Sequence, residues 1–269
     1  MNRDEKILWY DFGDVPAVKI FPLADVHLGA QGCYSEAFYK MLNKIKGEPD
    51  SYIMLLGDLI DNGTRNGITN IFKATMPPSQ QKKEMATALE IVRDKLLCFV
   101  PGNHERRSGK DADDCPTYDI AAKLDLEDRY RESIAFLRIG LGEHSGKGSG
   151  QYHSDKKPFV YYIAGVHGAG GGMLAGAGIN RADSFLQAFD GVDVLIHAHT
   201  HKPYTLPGAK IVIDVKNKIA KERPTLTMGV NSWLGWVGYP IDKMMRPTAL
   251  PKASRLTLSG RDFDFEGVV

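Results

Sequence analysis

Short runs of apolar residues recur along the chain and alternate with longer segments of helical pattern. The apolar runs are 18–21, 52–56, 97–100, 159–166 and 194–196, and their length and β-branched content predict strands. Residues 35–46 and 79–96 show helical patterns, and 118–124 and 181–189 are shorter helical candidates. Strands that alternate with helices predict a largely parallel sheet, whose ligands collect beyond the carboxyl ends of the strands.

The last third of the chain has a different pattern. Residues 210–215, 225–230 and 256–258 read as strands that turns separate, with no strong helical segment between them. This pattern suggests a second sheet, mixed or antiparallel. Because the sequence shows no internal repeat or linker-like stretch, we expect a single domain over residues 1–269, with the motifs in 18–206 and residues 207–269 completing the second sheet.

Polar motifs follow the first five predicted strands. In chain order they are D-x-H at 25–27, G-D-x-x-D at 57–61, G-N-H-E at 102–105, V-H-G at 166–168 and H-x-H at 199–201. Each is ambiguous alone, because an aspartate after glycine is more often a turn residue. Residues at alternate positions of an extended chain face the same side, so D-x-H and H-x-H can each offer two ligands to a metal. The ordered series therefore predicts a metal site.

This series resembles the calcineurin-like metallophosphoesterase family, in which the five motifs occur in this order. The resemblance spans about residues 20–204. It implies an α/β (α+β) fold of two stacked mixed β-sheets flanked by helices, a four-layer α/β/β/α sandwich with a dimetal site at the strand-end loops. It also implies hydrolysis of phosphate esters by a water that two metals activate.

The resemblance implies seven metal ligands. The first metal is assigned to Asp25, His27 and His201, the second to Asn103, His167 and His199, and Asp58 bridges both. The donor chemistry agrees, because mixed histidine, carboxylate and amide ligands suit borderline divalent metals rather than calcium. We expect two divalent ions, with Mn as first choice and Fe, Zn, Co or Ni as alternatives.

Further residues are assigned around this set. The resemblance implies that His104 donates a proton to the leaving oxygen and that Asp61 orients it. Arg106 and Arg107 are candidates for holding the substrate phosphate, because a guanidinium matches phosphate oxygens, although paired arginines on loops are usually solvated.

Two positions depart from the family pattern. Ala198 stands where a glycine usually precedes the last H-x-H pair. Asn62 stands where the serine/threonine protein phosphatase branch carries an arginine that holds phosphate, which disfavours a phosphoprotein substrate.

The substrate is predicted only as a class. The D-x-H-L-G block at 25–29 looks like that of DNA-repair nucleases of the family and favours phosphodiesters, either nucleotides or nucleic acid. The alternatives are a phosphomonoesterase or protein phosphatase, which G-N-H-E suggests, and a non-catalytic scaffold of the same fold. With 34 basic and 33 acidic residues the net charge is +1, so bulk charge gives no reason for tight binding to nucleic acid.

The sequence favours a cytoplasmic protein without a membrane partner; its protein partners stay open. The run 159–166 is far too short to cross a bilayer, and the N-terminus lacks the apolar core of a signal peptide. Cys33, Cys98 and Cys115 are widely spaced and odd in number, which is typical of a reducing compartment and argues against thiolate zinc.

Overall fold

A computed structural model of the protein describes residues 6–64, 71–145, 156–170, 176–238, 241, 244, 247 and 251–269. The strands in these residues are β1 Leu8–Asp11, β2 Ala17–Leu23, β3 Ser51–Leu56, β4 Leu96–Val100, β5 Ile134–Ser145, β6 Lys156–Val166, β7 Val194–His197, β8 Tyr204–Asp214, β9 Ile219–Gly229, β10 Arg255–Ser259 and β11 Phe265–Val268. The α-helices are α1 Ser35–Gly47, α2 Pro78–Glu90, α3 Asn103–Ala112, α4 Pro116–Lys123 and α5 Gly176–Leu186. Short 3-10 turns cover Ile71–Lys73, Arg93–Lys95 and Glu127–Arg129.

The strands form two mixed sheets that pack face to face. The six-stranded sheet has the order β1-β5-β6-β7-β9-β8, and the five-stranded sheet has the order β11-β10-β2-β3-β4. The alternating side chains of β3 show how the layers form: Met54 and Leu56 join the core between the sheets, while Ile53 and Leu55 contact the helices outside. A strand that is buried on both faces has a continuous apolar sequence, which explains the run at 52–56.

Helices cover both outer faces. Phe38 of α1, Leu89 of α2 and Ile120 of α4 pack on the five-stranded sheet. Ala182 and Leu186 of α5 pack on the six-stranded sheet. This confirms the predicted fold of two mixed sheets flanked by helices. None of the helices in the described part of the chain combines the length and the apolar character that a bilayer crossing requires.

The C-terminal strands divide between the two sheets. β8 and β9 extend the six-stranded sheet, whereas β10 pairs antiparallel with both β2 and β11 in the five-stranded sheet. The region 207–269 therefore contributes to both sheets instead of completing only one. Apolar spacing locates a strand but does not encode its partner, which long-range packing decides. The single domain over residues 1–269 stays a prediction.

A buried tyrosine ties the turn between β10 and β11 to the six-stranded sheet. Tyr161 of β6 is fully buried, and its ring stacks on Phe263 at a centroid distance of 4.9 Å. Its hydroxyl lies 2.6 Å from the carbonyl oxygen of Ser259 and 2.8 Å from that of Asp262, and accepts the N–H of Asp264 at 3.2 Å. Burial raises the pKa of Tyr161 to about 12, so the hydroxyl stays protonated and can donate.

We expect Tyr161→Phe to lower the free energy of unfolding by about 1 to 2 kcal/mol, because backbone groups of the turn lose their partner. The matched control is Tyr162→Phe, whose side chain is 37% exposed and should change stability by less than about 0.5 kcal/mol. Urea denaturation of both variants measures the difference. Equal stability of the two variants would show that the hydroxyl does not hold the turn.

Candidate metal centre

The predicted ligands lie at the carboxyl ends of strands from both sheets. β2, β3 and β4 are parallel neighbours in one sheet, and β6 and β7 are parallel neighbours in the other. Parallel strands end at the same edge, so the loops that follow them converge. The structure thereby brings together all seven side chains that the resemblance assigns to metals. They are Asp25, His27, Asp58, Asn103, His167, His199 and His201.

The donor atoms form overlapping groups. Asp25, His27 and His201 make one group, Asp58, His167 and His199 make another, and His27, Asp58 and His104 connect them, with each group's donor atoms within 4.8 Å of one another. Asp58 Oδ2 lies 3.3 Å from His167 Nε2 and 3.9 Å from His27 Nε2. An aspartate between two donor groups is positioned as a bridge.

Asn103 belongs to the second group by contact. Its Oδ1 lies 3.1 Å from His167 Nε2, and His199 Nδ1 lies 3.2 Å from the same nitrogen. Asp25 Oδ1 is buried without a hydrogen bond of good geometry, although His201 Nε2 is 3.2 Å away. Buried oxygen and nitrogen lone pairs that face one another are the environment a divalent cation requires, so these residues fit the metals that the family implies.

The protonation states of His27, His199 and Asp58 are those of metal ligands. Burial lowers the pKa of His27 to about 3, so its imidazole is neutral. Burial also lowers the pKa of His199, and the neighbouring His167 lowers it further. Burial opposes ionisation of Asp58, yet the surrounding histidines, His167 first, hold the pKa of its carboxyl well below the ordinary value. Neutral imidazoles and ionised carboxylates are the forms that bind metal. At His167, burial lowers the pKa but the Asp58 carboxylate outweighs it and raises the pKa to about 9, so His167 must release a proton when it binds metal.

Five of the seven ligands have a left-handed backbone. Their φ angles are 50° at Asp25, 49° at His27, 49° at Asp58, 68° at His199 and 53° at His201. The sequence argument that D-x-H and H-x-H present two ligands from an extended chain is therefore wrong, since β2 ends at Leu23 and β7 at His197. This conformation costs non-glycine residues on the order of 1 kcal/mol each and persists only where surrounding contacts impose it.

Hydrogen bonds between the loops impose this backbone. The N–H of Asp25 donates to the carbonyl of Gly57 at 3.0 Å, and that of His27 donates to the carbonyl of Asp58 at 2.9 Å. The N–H of His199 donates to Asp25 Oδ2 at 2.9 Å. Each ligand loop is thus held by a neighbouring ligand loop.

Glu105 is a supporting residue to which the sequence argument gave no role. Its Oε2 accepts the N–H of Asp58 at 2.9 Å and of Gly102 at 2.8 Å, and its Oε1 accepts the N–H of Ile60 at 3.2 Å. The side chain is buried, so burial raises the pKa of Glu105, and the Asp58 carboxylate raises it further. One carboxylate therefore joins the loop of Asp58 to the start of α3, where Asn103 lies. The capping-box spacing of glutamate three residues after Gly102 was the available signal.

Asp61 and Asn62 hold His104 in place through contacts with its Nδ1 and its carbonyl oxygen. His104 Nδ1 lies 2.7 Å from the carbonyl oxygen of Asp61 and 3.5 Å from its Oδ1, so the main chain makes the closer contact. Asn62 Nδ2 donates to the carbonyl of His104 at 2.8 Å and to Ser108 Oγ at 2.7 Å. Burial lowers the pKa of His104, but Asp58 and Asp61 outweigh it and raise the pKa above the ordinary value.

The two candidate arginines have different surroundings. Arg106 Nη2 donates to the carbonyl of Glu132 at 2.8 Å, and the residue lines a cavity of about 440 Å³ with Tyr130. Arg107 lies close enough to His104 for its charge to lower the pKa of that histidine. The structure thus brings Arg107 near His104 and engages Arg106 elsewhere.

Ala198 causes no backbone strain at its position. It is buried in the core between the sheets, and its N–H donates to the carbonyl of His167 at 3.0 Å. It is absent from the residues with positive φ, so a methyl group causes no left-handed strain there.

Comparisons with known proteins give one family. A family model described as calcineurin-like phosphoesterase matches residues 18–203, which include all five motifs. The search of curated proteins found no match. Among solved structures, a conserved uncharacterized protein from Streptococcus pneumoniae TIGR4, titled a predicted phosphoesterase, is 12% identical with a TM-score of 0.36, and the match covers 94% of this chain and 89% of that one.

We expect Glu105→Gln to weaken the binding of divalent metal by about tenfold or more, because glutamine replaces an accepting oxygen by a donating amide and removes the charge. Isothermal titration with Mn²⁺ measures the affinity, and circular dichroism verifies folding. The matched control is the exposed Glu127→Gln, which should bind metal like the unmodified protein. Unchanged affinity in a folded Glu105→Gln variant would refute the supporting role.

Proposed function

The chain belongs to the calcineurin-like phosphoesterase family, and on that premise we propose that it hydrolyses phosphate esters with two divalent metal ions and prefers phosphodiesters. The observation that carries the proposal is the position of Asp58, which shares donor groups with residues on both sides. A single carboxylate between two ligand sets suits a pair of adjacent cations.

We assign Asp25, His27 and His201 to one metal, Asn103, His167 and His199 to the other, and Asp58 to both. When bound, the metals supply Lewis acidity for water activation and for neutralising charge on the phosphate. The Nδ1–H of His104 donates to the carbonyl oxygen of Asp61 at 2.7 Å, and Nε2 lies 3.9 Å from Asp58 Oδ2. Its raised pKa favours the imidazolium, which can donate the Nε2 proton to the leaving oxygen.

We base the preference for diesters on the charges of the residues around the two proposed metal positions. A phosphomonoester carries about −1.5 to −2 charges at neutral pH, whereas a diester linkage carries one. Asn62 is buried and neutral where the protein phosphatase branch has its phosphate-holding arginine. Arg107 is the cation we propose for the substrate phosphate, with Arg106 in a lesser role. The D-x-H-L-G block supports nucleotides or nucleic acid as the substrate class.

Metal identity and location complete the proposal. The mixed histidine, carboxylate and amide donors suit Mn first, and Fe, Zn, Co or Ni also fit such a set. We keep the cytoplasm as the proposed location, because the three widely spaced cysteines are typical of a reducing compartment.

We expect hydrolysis of bis-p-nitrophenyl phosphate in the presence of Mn²⁺ to exceed hydrolysis of p-nitrophenyl phosphate. The assay uses the metal-loaded protein with a panel of Mn, Fe, Zn, Co and Ni, and then nucleotide and nucleic-acid diesters. Strong monoester turnover with no diester turnover would select the phosphomonoesterase alternative. Bound metal with no hydrolysis of either ester would select a scaffold.

We expect Asp58→Asn to abolish metal binding at both positions, and His104→Ala to keep both metals while slowing turnover by ~100-fold or more. Elemental analysis counts the metals, and Asp94→Asn, at an exposed position, is the control. The loss in His104→Ala should be larger for a nucleoside leaving group than for p-nitrophenolate, which needs little protonation. Loss of metal in His104→Ala would instead make His104 a ligand.

A further inference from the structure

β8 and β9 extend beyond the body of the protein as a two-stranded ribbon. The two strands pair from Tyr204 opposite Gly229 to Asp214 opposite Ile219. β9 pairs with β7 only through residues 226–229. Residues 208–225, called the ribbon below, therefore include strand segments that pair only with each other among the described residues. An isolated two-stranded ribbon is marginally stable in water, so a partner that packs on this ribbon would stabilise it.

The ribbon exposes apolar side chains on an open strand edge. Ile211 is 65% exposed, Ile213 is 67% exposed and Val215 is 80% exposed. Among the strands that the structure describes, β8 is the last of its sheet, so its outer edge offers backbone N–H and C=O groups to another strand. Proteins usually protect long apolar edges of this kind, which makes an exposed one a candidate interface.

The charges of the ribbon disfavour a polyanion as the partner. Lys210 Nζ donates to the carbonyls of Leu186 and Phe189 at 3.0 and 2.7 Å. Lys221 pairs with Asp214 at 2.7 Å, and Arg223 pairs with Asp193 at 2.5 Å. Three of the five cations of the ribbon are thus engaged within the chain. The apolar side chains that the ribbon exposes are Ile211, Val212, Ile213, Val215 and Ile219, and its other two cations, Lys216 and Lys218, lie in the turn between the strands.

We propose that β8 pairs antiparallel with β8 of a second copy of this chain, about a two-fold axis at Val212. In this register Val212 lies opposite Val212 of the partner subunit, and Ile211 lies opposite Ile213 of the partner subunit. Lys210 bonds to backbone carbonyls of its own chain, and Asp214 pairs with a lysine of its own chain. In this register Lys210 lies opposite Asp214 of the partner subunit, so opposite charges and not like charges meet across the axis. The two six-stranded sheets then join into one, and the isoleucines gain apolar cross-strand neighbours.

Other registers lose this match. A slip of two residues in one direction places Lys210 opposite Lys216 of the partner subunit, and like charges directly opposite are destabilising. A slip of two residues in the other direction places Lys210 opposite Val212 of the partner subunit and Asp214 opposite Gly208 of the partner subunit, so neither charge faces an opposite charge across the interface. A slip of one residue exchanges the two faces of the strand.

The interface leaves the metal centre open. The ribbon starts after His201, and Val212 is eight residues beyond Tyr204 along an extended strand. At about 3.3 Å per residue this separation is roughly 26 Å. The dimer is therefore independent of the proposed hydrolysis, and each copy should keep its turnover.

The test uses Val212, which in the proposed dimer lies opposite Val212 of the partner subunit. Val212→Glu and Val212→Lys each place like charges on the two-fold axis, so each variant alone should dimerise at least about tenfold more weakly than the unmodified protein. An equimolar mixture of the two variants should form a heterodimer, because glutamate then faces lysine. Sedimentation velocity over a concentration range measures the association, and Val212→Thr, which keeps the shape without charge, is the matched control.

Three outcomes would overturn the proposal. The first is an unmodified protein that stays monomeric at all concentrations. The second is a dimer that persists unchanged in both charged variants, which would place the interface elsewhere. The third is the absence of rescue in the mixture although both variants are folded by circular dichroism. Binding of an oligonucleotide that Lys216→Glu and Lys218→Glu abolish, in a protein that stays monomeric, would assign the ribbon to nucleic acid instead.

Discussion

Two carboxylates, Asp25 and Asp58, are almost completely buried where the strand ends converge. The arrangement of the surrounding loops compensates for the free energy that burial of these two charges costs. An isolated ionised carboxylate in a protein interior is very unfavourable unless cations or donors surround it. Histidines from the loops that follow strands of both sheets provide that surrounding: His27 on one side, and His167 and His201 on the other. To bring them close, the loops adopt left-handed backbone at five ligand positions, so favourable electrostatics offsets local strain.

Hydrogen bonds join the ligand loops to one another and to neighbouring segments. The carbonyl of Asp25 accepts the N–H of Trp233 at 2.9 Å and Ser232 Oγ at 3.0 Å, which ties the first ligand loop to the segment after β9. Glu105 ties the Asp58 loop to α3, and Asn62 ties it to His104. Bonds from loop to loop fix side-chain positions more closely than strand ends alone can, and such preorganisation lowers the cost of binding.

Much of the site was readable from the sequence, because its residue types recur in a fixed order after apolar runs. Asp25 lies beside His27 and His201, the residues with which the resemblance groups it. The argument from extended geometry is wrong, because the backbone conformation of these loops depends on hydrogen bonds between distant segments. The role of Glu105 is not visible in the sequence for the same reason, because the three N–H groups that donate to its carboxylate come from two separate loops. The sequence does not distinguish Arg106 from Arg107, because the hydrogen bond from Arg106 to the carbonyl of Glu132 depends on the tertiary structure.

The pairing of β10 with β2 has a consequence for biosynthesis. β2 leads into the first ligand loop, and the strand that completes its other edge follows more than two hundred residues later. At roughly 5 to 20 residues per second, a ribosome needs on the order of 10 to 50 s to supply it. During that interval the nascent chain carries an unpaired apolar edge, which is a template for association with other chains. Chaperone access while the last strands emerge is therefore a determinant of how much native protein a cell obtains.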